Sequence, residues 1–235
     1  MSTCSCGATS SGRVLREPSN VRVPRPRISV DTGAMSEDDV TARFNELYSS
    51  EEQVWSGEPN GALVHEITGV PPGTALDVGC GEGADALWLA RQGWTVTALD
   101  VAAAALDRAR RADTGGEVTW LHSGLVEADL ADGAFDLVSA QYPALRHTPD
   151  NAAISSLLRL VAPGGTLLVV HHADIDREEA LKRGFDPADY VSPADVRAAL
   201  DGSWTVTYDE RRERHISGGA GAHHTHDTVL RAQRR

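Results

Sequence analysis

Short apolar runs alternate with amphipathic stretches along most of this 235-residue chain, and from residue 75 onward the alternation is regular. Ala75–Val78 reads as a short buried strand. Residues 84–92 carry helical spacing that places Leu87 and Arg91 on one face, beside Ala84 and Trp88. Trp94–Leu99 is a second strand, followed by a helix that aligns Ala102, Ala105, Leu106 and Ala109. Val118–His122 and Phe135–Ala140 read as the third and fourth strands, the latter after the turn signal Asp132-Gly133. A stripe of Ile154, Leu157, Leu158 and Val161 predicts a helix around 151–161 that ends in Pro163-Gly164-Gly165. Thr166–His171 is then strand five. Ser192-Pro193 opens another helix, with serine as cap and proline at its first position, and Val196 and Leu200 face inward. Trp204–Tyr208 and about 225–232 are the last strands, joined by a glycine-rich link at 217–222.

Strands that alternate with helices predict an α/β fold with a doubly wound, mostly parallel sheet of seven strands. The last two strands have no helix between them. They should pair as a hairpin, which makes the final strand antiparallel.

Upstream of residue 75 the pattern changes. Residues 1–34 hold Arg13, Arg16, Arg22, Arg25 and Arg27 against Glu17 and Asp31, three helix-breaking prolines and no apolar period, so a disordered tail is expected. Met35 stands just ahead of the first ordered-looking segment and is the expected native start. Residues 35–74 read as a helical cover. Ser36 caps a helix with Val40, Phe44, Leu47 and Tyr48 on one face, a loop follows to Asn60, and a short helix carries Leu63 and Ile67 as far as Gly69. Residues 75–235 form the core.

Charge narrows the function. The net charge is −12, and Lys182 is the sole lysine. So acidic a surface opposes phosphate backbones, which argues against a nucleic-acid partner. No apolar run approaches the roughly 20 residues that cross a bilayer. The N-terminus lacks the apolar stretch of a secretory signal, and three unevenly spaced cysteines make no disulfide framework. A cytoplasmic enzyme is the expectation.

The chemistry concentrates where strand one ends. Asp77-Val78-Gly79-Cys80-Gly81-Glu82-Gly83 is a glycine-rich turn between a strand and a helix, with an acid two residues ahead of the first glycine. Glycines there let a ligand approach the backbone, but an acid in that place would repel a pyrophosphate and suits a cationic group. Asp100 ends the second strand, where an acid suits the two hydroxyls of a ribose. The pair points to a nucleoside cofactor carrying positive charge.

On these residues, together with Phe135-Asp136-Leu137-Val138 and Val161–Val170, the sequence over about 40–233 resembles class I S-adenosylmethionine-dependent methyltransferases. It is similar to the small-molecule branch with the tellurite-resistance and thiopurine-type enzymes. The resemblance implies a Rossmann-like fold and S-adenosyl-L-methionine as cofactor. It also implies methyl transfer to sulfur, selenium or tellurium, oxygen or nitrogen of a small molecule. By the same resemblance Asp77 meets the amino-acid ammonium, Gly79, Cys80 and Gly81 lie under the methionine part, and Asp100 holds the ribose. Val101 packs on the adenine, and Trp55 belongs to a lid. The family places an acid near the adenine amino group where this chain has Gly124. Backbone groups of Gly124 and Leu125, or the side chain of Glu127, are the alternatives. Gln141 and Tyr142 follow strand four, where methyl donor and acceptor meet. Tyr142 and His171 are the candidates for catalytic roles, with His172 and His147 as further possible bases. No metal site is expected, although His171, His172, His215, His223, His224 and His226 are numerous; His224 and His226 should lie at the sheet edge, far from a carboxylate. The competing readings are a nicotinamide-dependent oxidoreductase, because Gly79-x-Gly81-x-x-Ala84 also fits a dinucleotide turn, and a non-catalytic cofactor-binding sensor.

Overall fold

The computed structural model describes residues 37–50, 54–182, 184–214 and 223–235. The expected tail, Met35, the cap Ser36, His215 and the link at 217–222 lie outside them. The elements run α1 (Glu37–Ser50), α2 (Gly61–Ile67), β1 (Thr74–Val78), α3 (Ala84–Arg91), β2 (Thr95–Asp100), α4 (Ala103–Ala112), β3 (Val118–His122), β4 (Phe135–Gln141), α5 (Ala152–Leu160), β5 (Val161–His172), α6 (Arg177–Lys182), α7 (Pro193–Ala199), β6 (Trp204–Glu213) and β7 (His226–Arg234).

They build one seven-stranded sheet in the order β3-β2-β1-β4-β5-β7-β6. The first five strands are mutually parallel, and β7 runs antiparallel to both β5 and β6. This is the doubly wound α/β sheet with a reversed last strand that the pattern predicts. One expectation is corrected: the closing hairpin is not all edge, because β7 inserts between β5 and β6.

Side chains alternate across each strand, so odd and even positions feed two cores. Leu76, Val78, Val138, Leu167, Val169 and Leu230 pack with α5 and α7 on one face. Ala75, Val96, Leu137, Leu168, Val170 and Val229 pack with α2 and α3 on the other. Glu66 fastens α2 to the closing strands through Arg212, 2.5 Å, and Arg231, 3.4 Å.

Local chemistry sets the helix ends. Ser192 caps α7 ahead of Pro193, as the sequence suggests, and Asp195 at the third position completes a reciprocal capping box. Two details depart from the periodicity. In α3 the buried residues are Asp85, Ala86 and Leu89, whereas Arg91 is exposed. The helix turns a ridge of small residues to the sheet and leaves Leu87 and Trp88 half-covered. Strand β5 starts five residues early, at Val161. Its register slips between Phe135↔Val161 and Leu137↔Thr166, so the Pro163-Gly164-Gly165 turn is a bulge inside the strand instead of a helix stop.

Gly83 shows how tightly the glycine turn is built. It sits at φ +85°, and a Cβ there would lie 2.6 Å from the Trp120 ring and 2.9 Å from Ala109 Cβ. Gly83→Ala is expected to cost roughly 2–4 kcal/mol in urea denaturation, from left-handed strain plus overpacking. A loss below about 1 kcal/mol would mean that Trp120 yields.

Candidate active site

The C-terminal ends of the parallel strands share one edge, the place where open α/β sheets bind ligands. A cavity of about 1430 Å³ opens there. The residues singled out in the sequence analysis as cofactor or catalytic candidates line it, from Trp55 and Asp77 to Tyr142 and His171, with the exception of His147.

Register decides which side chains face each other. Asp77 lies opposite Ser139, Gln141 opposite Val170, and His172 opposite Asp227. Directly paired residues point to the same side. Asp77, Ser139, Gln141, His172 and Asp227 therefore line one face of the sheet, the α2/α3 face. His171 points to the other.

The glycine turn is held from beneath. Gly79 and Cys80 donate their N–H groups to Leu99 O at 2.9 and 3.0 Å, Gly81 donates to Asp100 Oδ2 at 2.8 Å, and Gly83 donates to Cys80 O. These donors are engaged within the chain, so they offer no cradle for a pyrophosphate. Asp100 also accepts Ala102 N–H through Oδ1, 2.8 Å. It thus shapes the turn and caps the approach to α4, and its lone pairs still border the cavity.

Asp77 behaves differently. It is buried, and its Oδ2 has no hydrogen-bond partner. Burial foremost, then the carboxylates of Asp85 and Asp100, push its pKa well up, against one hydrogen bond from the Ala86 backbone. Asp85 and Asp100 are raised too, again mainly by burial. Three buried acids around one glycine turn are costly without a cation.

The cover is anchored to the same turn. Asp85 accepts the backbone N–H and the side-chain amide of Asn60, 2.7 and 2.8 Å. Glu82 accepts the N–H groups of Val54 and Trp55, 3.2 and 3.0 Å, and pairs with Arg108 at 2.6 Å. Trp55 Nε1 donates to Tyr48 Oη at 2.7 Å, and that hydroxyl stands over Gly81, where a Cβ would come within 2.8 Å. Sequence reasoning found Trp55 but missed Glu82, Asp85 and Arg108, because tertiary ties of charged residues leave no local pattern. The Trp55 ring itself stays 37% exposed at the mouth of the cavity.

At one end of the cavity, Val101 and buried Leu125 flank Gly124. The carboxylate of Glu127 occupies the space that a side chain on Gly124 would fill, since a Cβ there would collide with its Oε2.

At the opposite end, Tyr142 adopts φ +52°, rare for a bulky residue and a mark of local strain. Its hydroxyl donates to Asp227 Oδ2 at 2.7 Å, and burial with that carboxylate holds its ionisation far above the ordinary range. Gln141 Nε2 donates to Ser139 Oγ, 3.0 Å, and Gln141 Oε1 has no partner. His171 is pushed down to about 4, chiefly by burial. The histidines of the closing strands are not remote from carboxylates: Asp227, at the start of β7, sits among them because the reversed strand returns its first residues to the ligand edge. His147 lies apart, beside Asp195 at 3.4 Å. Among the described residues no three His, Cys, Asp or Glu side chains group as metal ligands, and no helix is long and apolar enough to cross a membrane.

Comparison with known proteins agrees with this geometry. Residues 75–165 match the family model of a methyltransferase domain. An uncharacterised methyltransferase of Mycobacterium tuberculosis is 45% identical over 104 residues, 43% of this chain and 52% of its own. A ubiquinone biosynthesis O-methyltransferase of Sodalis glossinidius is 32% identical over 160 residues, 61% of each chain. The chain spans about half the length of the first of these relatives. Among solved structures, one described by the conversion of a disulfide bond into a thioacetal group during echinomycin biosynthesis superposes with a TM-score of 0.65 at 25% identity, covering 83% of this chain and 93% of that one. The Burkholderia thailandensis 1,6-didemethyltoxoflavin N1-methyltransferase, solved with that compound and S-adenosylhomocysteine, shares the fold at TM-score 0.61 and 20% identity, over 87% and 93%. Domain match and fold agree on the class: residues 75–165 match a methyltransferase domain, and the sheet is the one that solved S-adenosylmethionine-dependent methyltransferases share.

Proposed function

We propose that this chain transfers the methyl group of S-adenosylmethionine to a small molecule bound at the Tyr142 end of the cavity. The observation that carries the reading is Asp77: a buried carboxylate oxygen without a partner, in a glycine turn whose N–H donors are already engaged. That chemistry fits a cationic amino-acid head and does not fit a pyrophosphate, which disfavours the oxidoreductase alternative. The residues present fit the cofactor along its whole length.

In this reading Asp77 takes the ammonium, and Gly79, Cys80 and Gly81 give backbone room beside it. Asp100 accepts from the ribose hydroxyls, Val101 and Leu125 hold the adenine faces, and Glu127, across Gly124, accepts from its amino group. Gln141 offers its free Oε1 near the centre. When bound, the cofactor supplies an electrophilic methyl on a sulfonium. The chain aligns donor and acceptor and excludes water, with Trp55 and residues 35–74 as cover. Such a cover supports kinship with the small-molecule branch. The names of the relatives and of the solved structures support oxygen, nitrogen and sulfur as acceptor atoms. Tyr142, with its proton committed to Asp227, shapes the acceptor wall, and His171 stays neutral at pH 7.

Thermal shift and calorimetry test the reading. S-adenosylhomocysteine at about 100 times its Kd should add about 2.7 kcal/mol of stability, and NAD none. The reverse result overturns it. In the same assay Glu127→Gln should weaken S-adenosylhomocysteine about tenfold, and leave unchanged the affinity for an analogue that lacks the adenine amino group. Equal losses for both ligands would remove Glu127 from the adenine site.

A further inference from the structure

We infer that His172 is the base that removes the acceptor's proton, that Asp227 positions it, and that the acceptor nucleophile is a hydroxyl group. The inference rests on the methyl-transfer reading above and names the substrate class for it.

Placement comes first. His172 and Asp227 are direct cross-strand partners on the antiparallel β5–β7 pair. They share the sheet face of Asp77 and Gln141, with β4 between β1 and β5. His172 lines the same cavity as Asp77 and Gln141. A reacting group held over Gln141 and Tyr142 therefore has Asp77, the proposed seat of the cofactor's ammonium, on one side and the imidazole on the other.

Geometry comes second. His172 Nδ1 lies 3.4 Å from Asp227 Oδ1. Both atoms are buried and neither makes a hydrogen bond, so the carboxylate faces Nδ1 at ion-pair distance only. The imidazole is stacked between the Tyr142 ring, 4.3 Å away, and the His224 ring, 4.0 Å away. That clamp resists ring rotation. Asp227 is itself only 4% exposed and is fixed through Oδ2 by the Tyr142 hydroxyl at 2.7 Å. A carboxylate facing Nδ1 selects the tautomer with the proton on Nδ1, and this leaves the Nε2 lone pair for the acceptor.

The neighbouring groups cannot take this role. His171 is held near 4 by burial and points to the opposite face. The ionisation of Tyr142 is raised, and its proton is donated to Asp227. His224 is also lowered to about 4, by burial first and then by His172, His223 and Arg214. Arg214, near the same cluster, pairs with Asp227 at 3.8 Å. Soft thiolate or selenide nucleophiles react without a base, whereas a hydroxyl is a poor nucleophile until its proton leaves. An imidazole held by a buried carboxylate is the equipment for the second case.

The step balances. Nε2 accepts the hydroxyl proton, and the oxygen pair forms a bond to the methyl carbon. The carbon–sulfur bond breaks with its electrons going to sulfur, which ends neutral. The products are a methyl ether and S-adenosylhomocysteine. The proton leaves His172 for solvent through the cavity mouth.

Two measurements on the full chain test the inference. Nitrogen-15 NMR of the protein loaded with S-adenosylhomocysteine, assigned with His172→Gln, should show neutral His172 protonated on Nδ1. Asp227→Asn should release that preference. The second uses 4-nitrocatechol, a coloured hydroxyl probe, on the loaded protein at a pH below the probe's own ionisation. It should bind as the phenolate, with its apparent pKa lowered by about one unit or more, and His172→Gln should abolish the phenolate band. A wild-type His172 protonated on Nε2, a probe bound as neutral phenol, or a probe that does not bind overturns the inference. Failure of S-adenosylhomocysteine to bind at all is a separate outcome, and it sinks the methyl-transfer reading instead.

Discussion

Asp100→Ala is expected to weaken S-adenosylhomocysteine binding by 100-fold or more in calorimetry. A hydrogen bond to a charged group contributes about 1.5–3 kcal/mol, and a ribose presents two hydroxyls to this carboxylate. Two such bonds amount to roughly 3–6 kcal/mol, or about 100- to 10⁴-fold. The variant also frees the N–H groups of Gly81 and Ala102 that Asp100 now accepts, so the turn loses its shape as well as its ligand contact. Asp100→Asn keeps one acceptor oxygen and should fall between the two. An affinity for Asp100→Ala within threefold of the wild type would show that the ribose lies elsewhere.

Asp77→Asn should move stability and affinity in opposite directions. The ligand-free protein is expected to gain about 1–3 kcal/mol, because the exchange removes a buried charge with an orphaned oxygen and keeps its volume. Affinity for S-adenosylhomocysteine should drop about 10- to 100-fold with the loss of the ammonium's counter-charge. The effect has a pH signature. The native pKa of Asp77 is raised above the unfolded value near 4, so between those values the native state binds more protons. Unfolding free energy attributable to Asp77 then falls as pH rises through that window and is flat above it. The advantage of Asp77→Asn over wild type should be smallest near the unfolded value and grow as pH rises, so it should be larger at about pH 8 than at about pH 5. His171 and His224, whose lowered pKa values give the opposite slope up to the ordinary histidine value, cancel in this difference. Urea titrations at both pH values measure it. A variant that is both less stable and weaker-binding would mean that Asp77 is a structural residue with an unseen partner.

How much of this was readable without coordinates depends on whether the signal was local. The glycine turn, Asp77 and Asp100 were legible because strand ends, acids and glycines follow one another within a few residues. The reversal of the last strand was legible from a missing helix. The face of α3 was misjudged because Asp85, a polar residue, is buried against Asn60 and no hydrophobicity pattern marks it. Asp227 was missed for a topological reason. It opens a strand, and in a parallel sheet a strand's first residue lies at the edge away from the ligand. Only the antiparallel insertion of β7 beside β5 brings it opposite His172. The rule that reversed strands deliver their N-terminal residues to the active edge would have found it. Glu127 was named from the sequence as one alternative because it follows Gly124 by one turn, and Gly124 O does accept Ala128 N–H there.

Glu82 carries a consequence for how the molecule can be cut and joined. A residue of the glycine turn itself grips the chain at Val54 and Trp55, and Arg108 of α4 clasps both that acid and the carbonyl of Tyr48. Floor and roof of the binding chamber thus share one rivet. A truncation that begins at the first strand would not yield a smaller, open-topped version of the same receptor. It would leave Glu82 with Arg108 alone and Arg108 without the Tyr48 carbonyl, so the turn would lose the contacts that now tie it to the cover.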